Sequence, residues 1–191
     1  MRKVILDMLV TLDGFFEGPK GELDWTFIVW DEEFQKYSNN ELRSMDAILY
    51  GRVAYQKTGH ILVDELGPET ESTIEFVNNV NNIKKVIFSR TLEKVEGNAK
   101  IVRENIAEEI STMKQEPGKD LMLIGGPELV STFIQLDLID EYRIGVVPMI
   151  LGEGKSLFKA VNDTLSLKLI KTETFNSGLV ILHYQPISKS S

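Results

Sequence analysis

The sequence contains no cysteine among its 191 residues. Disulfide bonds, thiolate nucleophiles and cysteine-ligated zinc sites are therefore excluded, and a cytoplasmic location is expected. Histidine is scarce as well, since only His60 and His183 occur and neither has an evident triad partner in the sequence. We expect neither a side-chain nucleophile nor a bound metal.

Long apolar runs are also missing. No stretch approaches the roughly 20 apolar residues that a membrane-spanning helix needs, and Asp7 and Asp13 interrupt the apolar start too early for a secretory signal. Positive charge is in deficit, with 21 Lys and Arg against 29 Asp and Glu and a net charge of -8. Nucleic acids and anionic membranes attract clustered Lys and Arg, so neither is an expected partner. A small-molecule substrate is expected instead.

The pattern of apolar residues predicts an α/β fold in one domain over residues 1–187, with a frayed tail at 188–191. Strand-like and helix-like segments alternate up to about residue 135, and strands dominate from Asp140 onward. The predicted strands of the first part are 1–10, 47–50, 85–88, 99–102 and 121–124. The predicted helices include 30–44, 72–82 and 104–116, and a loop is predicted at LDGFFEGPKGE after the first strand.

The segment LMLIGGPELV at 121–130 indicates a strand, a tight turn and a helix. Gly125 and Gly126 allow positive φ angles and a close approach of the backbone to a ligand, and Pro127 suits the first position of a helix. The amides of a helix N-terminus favour an anion such as a nucleotide pyrophosphate. A simple chain reversal is the alternative, and Glu128 adds negative charge at the same place.

Two further turns of this kind follow predicted strands, at Gly51-Arg52 and at Ser89-Arg90-Thr91. Ligands of open parallel sheets bind beyond the carboxyl ends of the strands, so the three turns are placed to contact one extended dinucleotide. The guanidinium of Arg90 and the two hydroxyls beside it suit the 2′-phosphate that distinguishes NADP from NAD. A solvated loop arginine is the alternative.

The usual dinucleotide fingerprint G-x-G-x-x-G is absent. Five ordered motifs instead resemble the dihydrofolate-reductase-like superfamily, and within it the reductase domain of bacterial riboflavin biosynthesis proteins. They are VTLDGFFEG at 10–18, YGRVAYQKTG at 50–59, VIFSRT at 86–91, IGGPELVSTFI at 124–134 and LIDEYRIGVVPMILGEGKSLF at 138–158. The resemblance implies a mostly parallel central sheet with antiparallel C-terminal strands and flanking helices. We expect no deaminase domain of the bifunctional members within this sequence, because their cysteine signature is missing from it.

The resemblance implies NADPH as the cofactor and assigns it three sets of contacts. Residues near the nicotinamide would be Thr11, Leu12, Asp13 and Gly14. Residues at the phosphates would be Gly51, Arg52, Gly125, Gly126, Pro127 and Glu128, with Ser89, Arg90 and Thr91 at the adenosine phosphate. Asp13 is also explained by an Asx-type turn before Gly14.

The substrate side is less defined by the sequence. Asp31 is the candidate acid at the start of the first helix, although the helix macrodipole explains the same acidic cluster without catalysis. Gly152, Gly154 and Lys155 are candidate substrate contacts by resemblance, and a wide hairpin turn is the alternative.

We therefore expect an NADPH-dependent reductase of a small heterocycle, with 5-amino-6-(5-phosphoribosylamino)uracil as the most specific substrate that the resemblance implies. Two other hypotheses stay open. One is a non-catalytic NADP(H)-binding module that acts through a partner, and the other is a purely structural oligomerisation domain. The family resemblance also implies a homodimer formed through the terminal strands.

Overall fold

The computed structural model describes residues 1–187, and the predicted frayed tail at 188–191 lies outside this range. The described chain contains ten strands: β1 Val4–Thr11, β2 Phe15–Glu17, β3 Met45–Gly51, β4 Lys84–Phe88, β5 Ala99–Val102, β6 Asp120–Ile124, β7 Glu141–Val147, β8 Lys155–Ser156, β9 Leu167–Thr174 and β10 Val180–Pro186. Its α-helices are α1 Glu32–Arg43, α2 Arg52–Thr58, α3 Glu71–Asn82, α4 Ile106–Gln115 and α5 Pro127–Gln135.

Eight strands form one sheet in the order β5-β4-β3-β6-β1-β7-β10-β9. The six strands from β5 to β7 in this order run parallel to one another. β10 runs antiparallel to both β7 and β9. The predicted mostly parallel sheet with antiparallel C-terminal strands is therefore confirmed. Because the parallel strands share one direction, their carboxyl ends lie along one edge of the sheet.

Alternating side chains of the central strands supply two apolar layers. Val4 and Leu6 of β1 pack with Phe133 of α5 on one face of the sheet. Ile5 packs on the other face with Tyr50 of β3 and Val77 of α3. Strands that are buried on both faces explain why β1, β3 and β6 are nearly continuous apolar runs.

Side-chain caps begin the two helices that cover the second face. Asp31 accepts a hydrogen bond from the Phe34 amide at α1, and Thr70 accepts one from the Thr73 amide at α3. Such caps satisfy amide groups that have no partner within a helix. They fix where α1 and α3 begin, and therefore where both helices lie over the sheet.

The predicted loop after β1 is wrong in one respect, because it contains β2. This strand pairs antiparallel with β8 in a separate two-stranded sheet. Gly154 makes the pairing close, since a Cβ atom there would stand 2.5 Å from the Glu17 carbonyl oxygen. A three-residue strand whose partner lies about 140 residues away leaves no local pattern from which to predict it.

No helix within residues 1–187 has the length and apolar character to cross a membrane.

Candidate active site

A cavity of about 1010 Å³ opens on the face of the sheet that α1 and α3 cover. Side chains of β1, β3 and β6 form its floor, and the β6–α5 turn lies at one end. The β2–β8 sheet contributes Phe16, Glu17 and Lys155 to its border. This volume lies at the top of the usual range for small-molecule sites, so it can hold the end of a cofactor together with a small substrate.

The β6–α5 turn contributes four successive residues to the cavity, Gly125 to Glu128. The expected use of positive φ is wrong, because neither Gly125 nor Gly126 has a positive φ and that of Gly126 is -75°. The reason for glycine in this turn is therefore the absence of a side chain and not the φ angle. A Cβ atom on Gly126 would make only ordinary contacts, 3.8 Å from Glu128 and 4.0 Å from Phe16, both of which line the cavity.

The other two predicted turns lie beside this one at the same edge of the sheet. β3 pairs with β6 on one side and with β4 on the other, which places the Gly51 turn between the Gly125 turn and the Ser89 turn. Gly51 and Gly125 both flank the Leu129 side chain. Gly51 and Arg52 do not line the cavity themselves, although Val53 of the same helix does. Their predicted phosphate contacts, and those of Ser89 to Thr91, stay predictions.

A second arginine, which sequence reasoning missed, contacts the turn after β4. The Ser89 hydroxyl accepts hydrogen bonds from the amides of Thr91 and Leu92 and so shapes the turn. Arg103 follows β5, the neighbour of β4, and its guanidinium donates to the Arg90 carbonyl oxygen at 3.2 Å. Two positive charges therefore lie at adjacent strand ends. The sequence predicts strands β4 and β5. Only their pairing in the sheet brings Arg103 next to Arg90.

Thr11, Leu12, Asp13 and Gly14 form a turn that does not line the cavity. The Asp13 carboxylate accepts hydrogen bonds from the Thr11 hydroxyl at 2.6 Å and from the Gly152 amide at 2.8 Å. The Thr11 hydrogen bond is the largest influence on the carboxyl, and together with the Gly152 and Leu151 amides it lowers the pKa of Asp13 to about 2. Asp13 thus ties this turn to the loop before β8, and the predicted nicotinamide contacts stay a prediction.

Of the three predicted substrate contacts, two line the cavity and one does not. Gly154 and Lys155 line the cavity, whereas Gly152 is held by Asp13 outside it. Lys155 and Lys57 both donate to the buried Glu17 carboxylate, at 2.8 and 2.9 Å. Burial alone would raise the pKa of Glu17, but hydrogen bonds from the two lysines outweigh burial and lower it. These three residues form a charged group, one negative and two positive, at the border of the cavity.

Asp31 lies outside the cavity and serves as the N-cap of α1, with its carboxylate 2.9 Å from the Phe34 amide. The structure thereby gives this residue the helix-terminal role that the sequence analysis held open. Another carboxyl group, Asp7, lies in the cavity itself. The sequence signal for Asp7 was its position as a single charge inside an apolar strand.

Asp7 belongs to a row of polar side chains that crosses the sheet. Its cross-strand partner is Arg143 of β7, whose own partner is His183 of β10. Arg143 is bound to other acids, since it donates to Glu141 at 2.7 Å and forms an ion pair with Glu41 of α1. Within residues 1–187 the Asp7 carboxyl forms neither a hydrogen bond nor an ion pair. Burial raises the pKa of Asp7 to about 6, against the attraction of Arg143.

Aromatic side chains face this row across the cavity. We call Trp30, Phe34, Tyr37 and Phe76 the aromatic wall. The rings of Trp30 and Phe76 pack edge to face with centroids 4.7 Å apart. The Trp30 indole N–H and the Tyr37 hydroxyl are buried and find no hydrogen-bond partner among the described residues. Burial raises the pKa of Tyr37, to which the nearby Asp7 charge contributes, so the phenol stays a neutral donor.

Among residues 1–187, no group of three or more histidine, aspartate and glutamate side chains is arranged so that it could hold a metal ion.

Comparison with known proteins identifies relatives of the whole chain. The sequence model of the RibD C-terminal domain matches residues 2–181. The uncharacterized protein YyaP of Bacillus subtilis (strain 168) is 42% identical over 96% of this chain and 94% of its own length.

Two solved structures share the fold. A Shewanella sp. PV-4 protein, provisionally named for riboflavin biosynthesis, is 21% identical with a TM-score of 0.73 over 98% of this chain and 99% of its own. A diaminohydroxyphosphoribosylaminopyrimidine deaminase/5-amino-6-(5-phosphoribosylamino)uracil reductase from Thermotoga maritima is 16% identical with a TM-score of 0.68, over 97% of this chain and 57% of its own. At these sequence identities, the two structures show similarity in fold alone.

Proposed function

Since the chain belongs to the RibD C-terminal domain family, we propose that it is an NADPH-dependent reductase that transfers hydride to a small heterocyclic substrate. The observation that carries the proposal is the cavity itself. It extends from the amino end of α5, which suits phosphates, to a partly buried carboxyl on the central strand β1. A reductase needs both ends, one to hold the cofactor and one to position the acceptor.

The residues at the β6–α5 turn fit a dinucleotide pyrophosphate. No side chain caps α5, so the first amides of the helix have no side-chain acceptor. The bare Gly126 leaves the adjoining space in the cavity free of a side chain. We assign Gly125 and Gly126 to the pyrophosphate, and Arg90 with Arg103 to the 2′-phosphate. When bound, NADPH supplies the hydride, and the protein supplies orientation and exclusion of water.

The finer form of the proposal takes the substrate to be 5-amino-6-(5-phosphoribosylamino)uracil, the compound in the name of the Thermotoga maritima relative. The flat pyrimidine of that compound would lie between the aromatic wall and the sheet, which both line the cavity. Its phosphate would lie near the border of the cavity, where Lys155 and Lys57 are held by Glu17.

A titration with NADPH followed by an oxidation assay tests the proposal. We expect saturable binding with a Kd between about 1 μM and 1 mM, the ordinary range for enzyme substrates, and weaker binding of NADH. Loss of absorbance at 340 nm with the aminouracil substrate then measures turnover. Absence of saturable NADPH binding at millimolar concentration would refute the proposal. Tight binding without oxidation of any heterocycle would favour the non-catalytic module instead.

A further inference from the structure

We propose that Asp7 is the acid that protonates a nitrogen of the substrate, whose heterocycle lies between Asp7 and the aromatic wall. The inference rests on the proposed function, because it deepens the chemistry of the same cavity. It names a catalytic residue on the central strand and a substrate class, an uncharged nitrogen heterocycle with a reducible carbon–nitrogen double bond.

The first argument is that the Asp7 carboxyl makes no polar contact with the described residues that would stabilise the fold. Its carboxyl lies in the cavity and has no hydrogen bond or ion pair with another residue of the described chain. Other partly buried carboxyls of the cavity do have partners, as Glu17 has two lysines and Glu41 has Arg143. A carboxyl that is removed from water without a partner costs stability, and such groups cluster at functional sites.

The second argument is the charge around Asp7. Three titratable groups interact with Asp7, namely Tyr37 of α1 and Glu141 and Arg143 of β7. Three more adjoin these groups: Glu41 pairs with Arg143, His183 contacts Glu141, and Glu173 contacts His183. Arg143 is shared between two glutamates and His183 lies between two, at 3.4 Å from Glu141 and 3.0 Å from Glu173. The neighbouring positive charges are thus bound by other acids. Asp7 therefore retains its proton at pH values where an ordinary aspartate has lost it.

The third argument concerns what can lie opposite Asp7. The aromatic wall lines the cavity with flat apolar rings. A planar heterocycle can stack on such rings. A phosphate does not belong here, because the acids around Asp7 would repel it. The heterocycle therefore lies deep in the cavity, and any phosphate of the substrate lies toward its border.

Nitrogen is the better proton acceptor for this acid. Proton transfer is most effective when donor and acceptor have similar pKa values, and imine nitrogens are much closer to a carboxyl of pKa about 6 than carbonyl oxygens are. Hydride adds with its electron pair to the carbon of the C=N bond, and the π pair moves to nitrogen. The Asp7 O–H proton forms the new N–H bond, the nicotinamide cofactor is oxidised, and the Asp7 carboxylate regains a proton from solvent.

Calorimetry with 2-aminopyrimidine tests the contact without turnover. This probe is uncharged at pH 6, and it pairs with the protonated form of Asp7, which donates to the ring nitrogen and accepts from the amino group. About half of the Asp7 side chains carry a proton at pH 6, so titrations in two buffers of different ionisation enthalpy should show uptake of about half a proton per ligand. Asp7→Asn should abolish the uptake, and Asp7→Ala should weaken binding about tenfold or more. The exposed Asp163→Asn is the control and should match the wild type.

A kinetic arm tests the proton transfer. With NADPH and the aminouracil substrate, whose ribosylamine opens to an imine that supplies the C=N bond, Asp7→Asn should lower kcat about 100- to 10,000-fold, the usual contribution of general acid catalysis, and leave the Kd for NADPH unchanged. Wild-type kcat should fall above about pH 6 as Asp7 loses its proton, whereas the variant should show no such dependence.

The two arms separate this inference from the proposed function. Proton uptake that is absent in the wild type, or that persists in Asp7→Asn, would overturn the contact, as would failure of 2-aminopyrimidine to bind at millimolar concentration. An unchanged kcat and pH profile in Asp7→Asn would overturn the role of Asp7 and leave the reductase standing. Intact proton uptake without any NADPH binding would refute the reductase and leave the contact in place.

Discussion

Gly126→Ala should weaken NADPH binding without unfolding the protein. The backbone of Gly126 is extended, with φ -75° and ψ 178°, so alanine fits without strain. The added methyl would meet no atom closer than 3.8 Å. Replacement of glycine at a compatible position stabilises by about 0.4–1 kcal/mol, and loss of a tolerated N-cap costs about as much. These contributions nearly cancel, so the melting temperature should change by no more than about 2 °C.

Binding should respond far more strongly, because the methyl would stand in the cavity beside the amides that we assign to the pyrophosphate. A hydrogen bond to a charged group is worth about 1.5–3 kcal/mol, so loss of one should raise the Kd about 10- to 100-fold. NADPH fluorescence titration measures the Kd, and a thermal melt measures stability.

Gly154→Ala is the contrasting variant, since its Cβ would stand 2.5 Å from the Glu17 carbonyl oxygen and should lower the melting temperature. Wild-type NADPH affinity in Gly126→Ala would refute the assignment of the pyrophosphate to this turn.

Three further changes test other parts of the structure. Arg90→Ala should raise the Kd for NADPH about tenfold and leave that for NADH unchanged, because only NADPH carries the 2′-phosphate; equal losses for both would contradict this. Asp13→Asn should remove the part of acid unfolding that circular dichroism detects between about pH 4 and 2, since hydrogen bonds to the folded carboxylate are lost as it gains a proton. Ile170→Lys should convert the expected homodimer to a monomer in sedimentation velocity, as Ile170 is 50% exposed on the edge strand β9; a wild-type monomer would contradict the dimer.

The raised pKa of Asp7 also leads to a prediction about the stability of the protein. Its folded pKa of about 6 lies above its ordinary value of 3.8, so the folded state holds the proton more tightly and stability falls as the pH rises from 4 to 6. The separation of about two pH units, each worth about 1.4 kcal/mol, sets an upper bound of about 3 kcal/mol. Asp7→Asn should therefore be more stable than the wild type at pH 8 in urea denaturation, with little difference at pH 4. Equal stability at pH 8 would show that the carboxyl is well solvated.

Most of the sheet could be predicted because its strands carry strong local patterns. The predicted strand at 99–102 coincides with β5, and the predicted helix at 72–82 differs from α3 by one residue. Apolar runs bounded by turn residues mark buried parallel strands, and 3.6-residue periodicity marks the helices between them. β2 and β8 lack both signals, since they have three and two residues and exist through their pairing with each other.

The two ends of the cavity also differ in whether a local sequence pattern can predict them. The phosphate contact that we propose uses backbone amides at the start of a helix, so consecutive residues such as Gly125 and Gly126 indicate it within a single turn of sequence. The acid end depends on side chains from β1, α1, β7 and β10, which only the sheet order brings together. The family resemblance made Asp31 a candidate acid on the first helix, and in the structure its carboxylate caps that helix through the Phe34 amide. Asp7 had no local partner to explain it, and a charge without a local reason inside a buried strand is the stronger indication of a ligand.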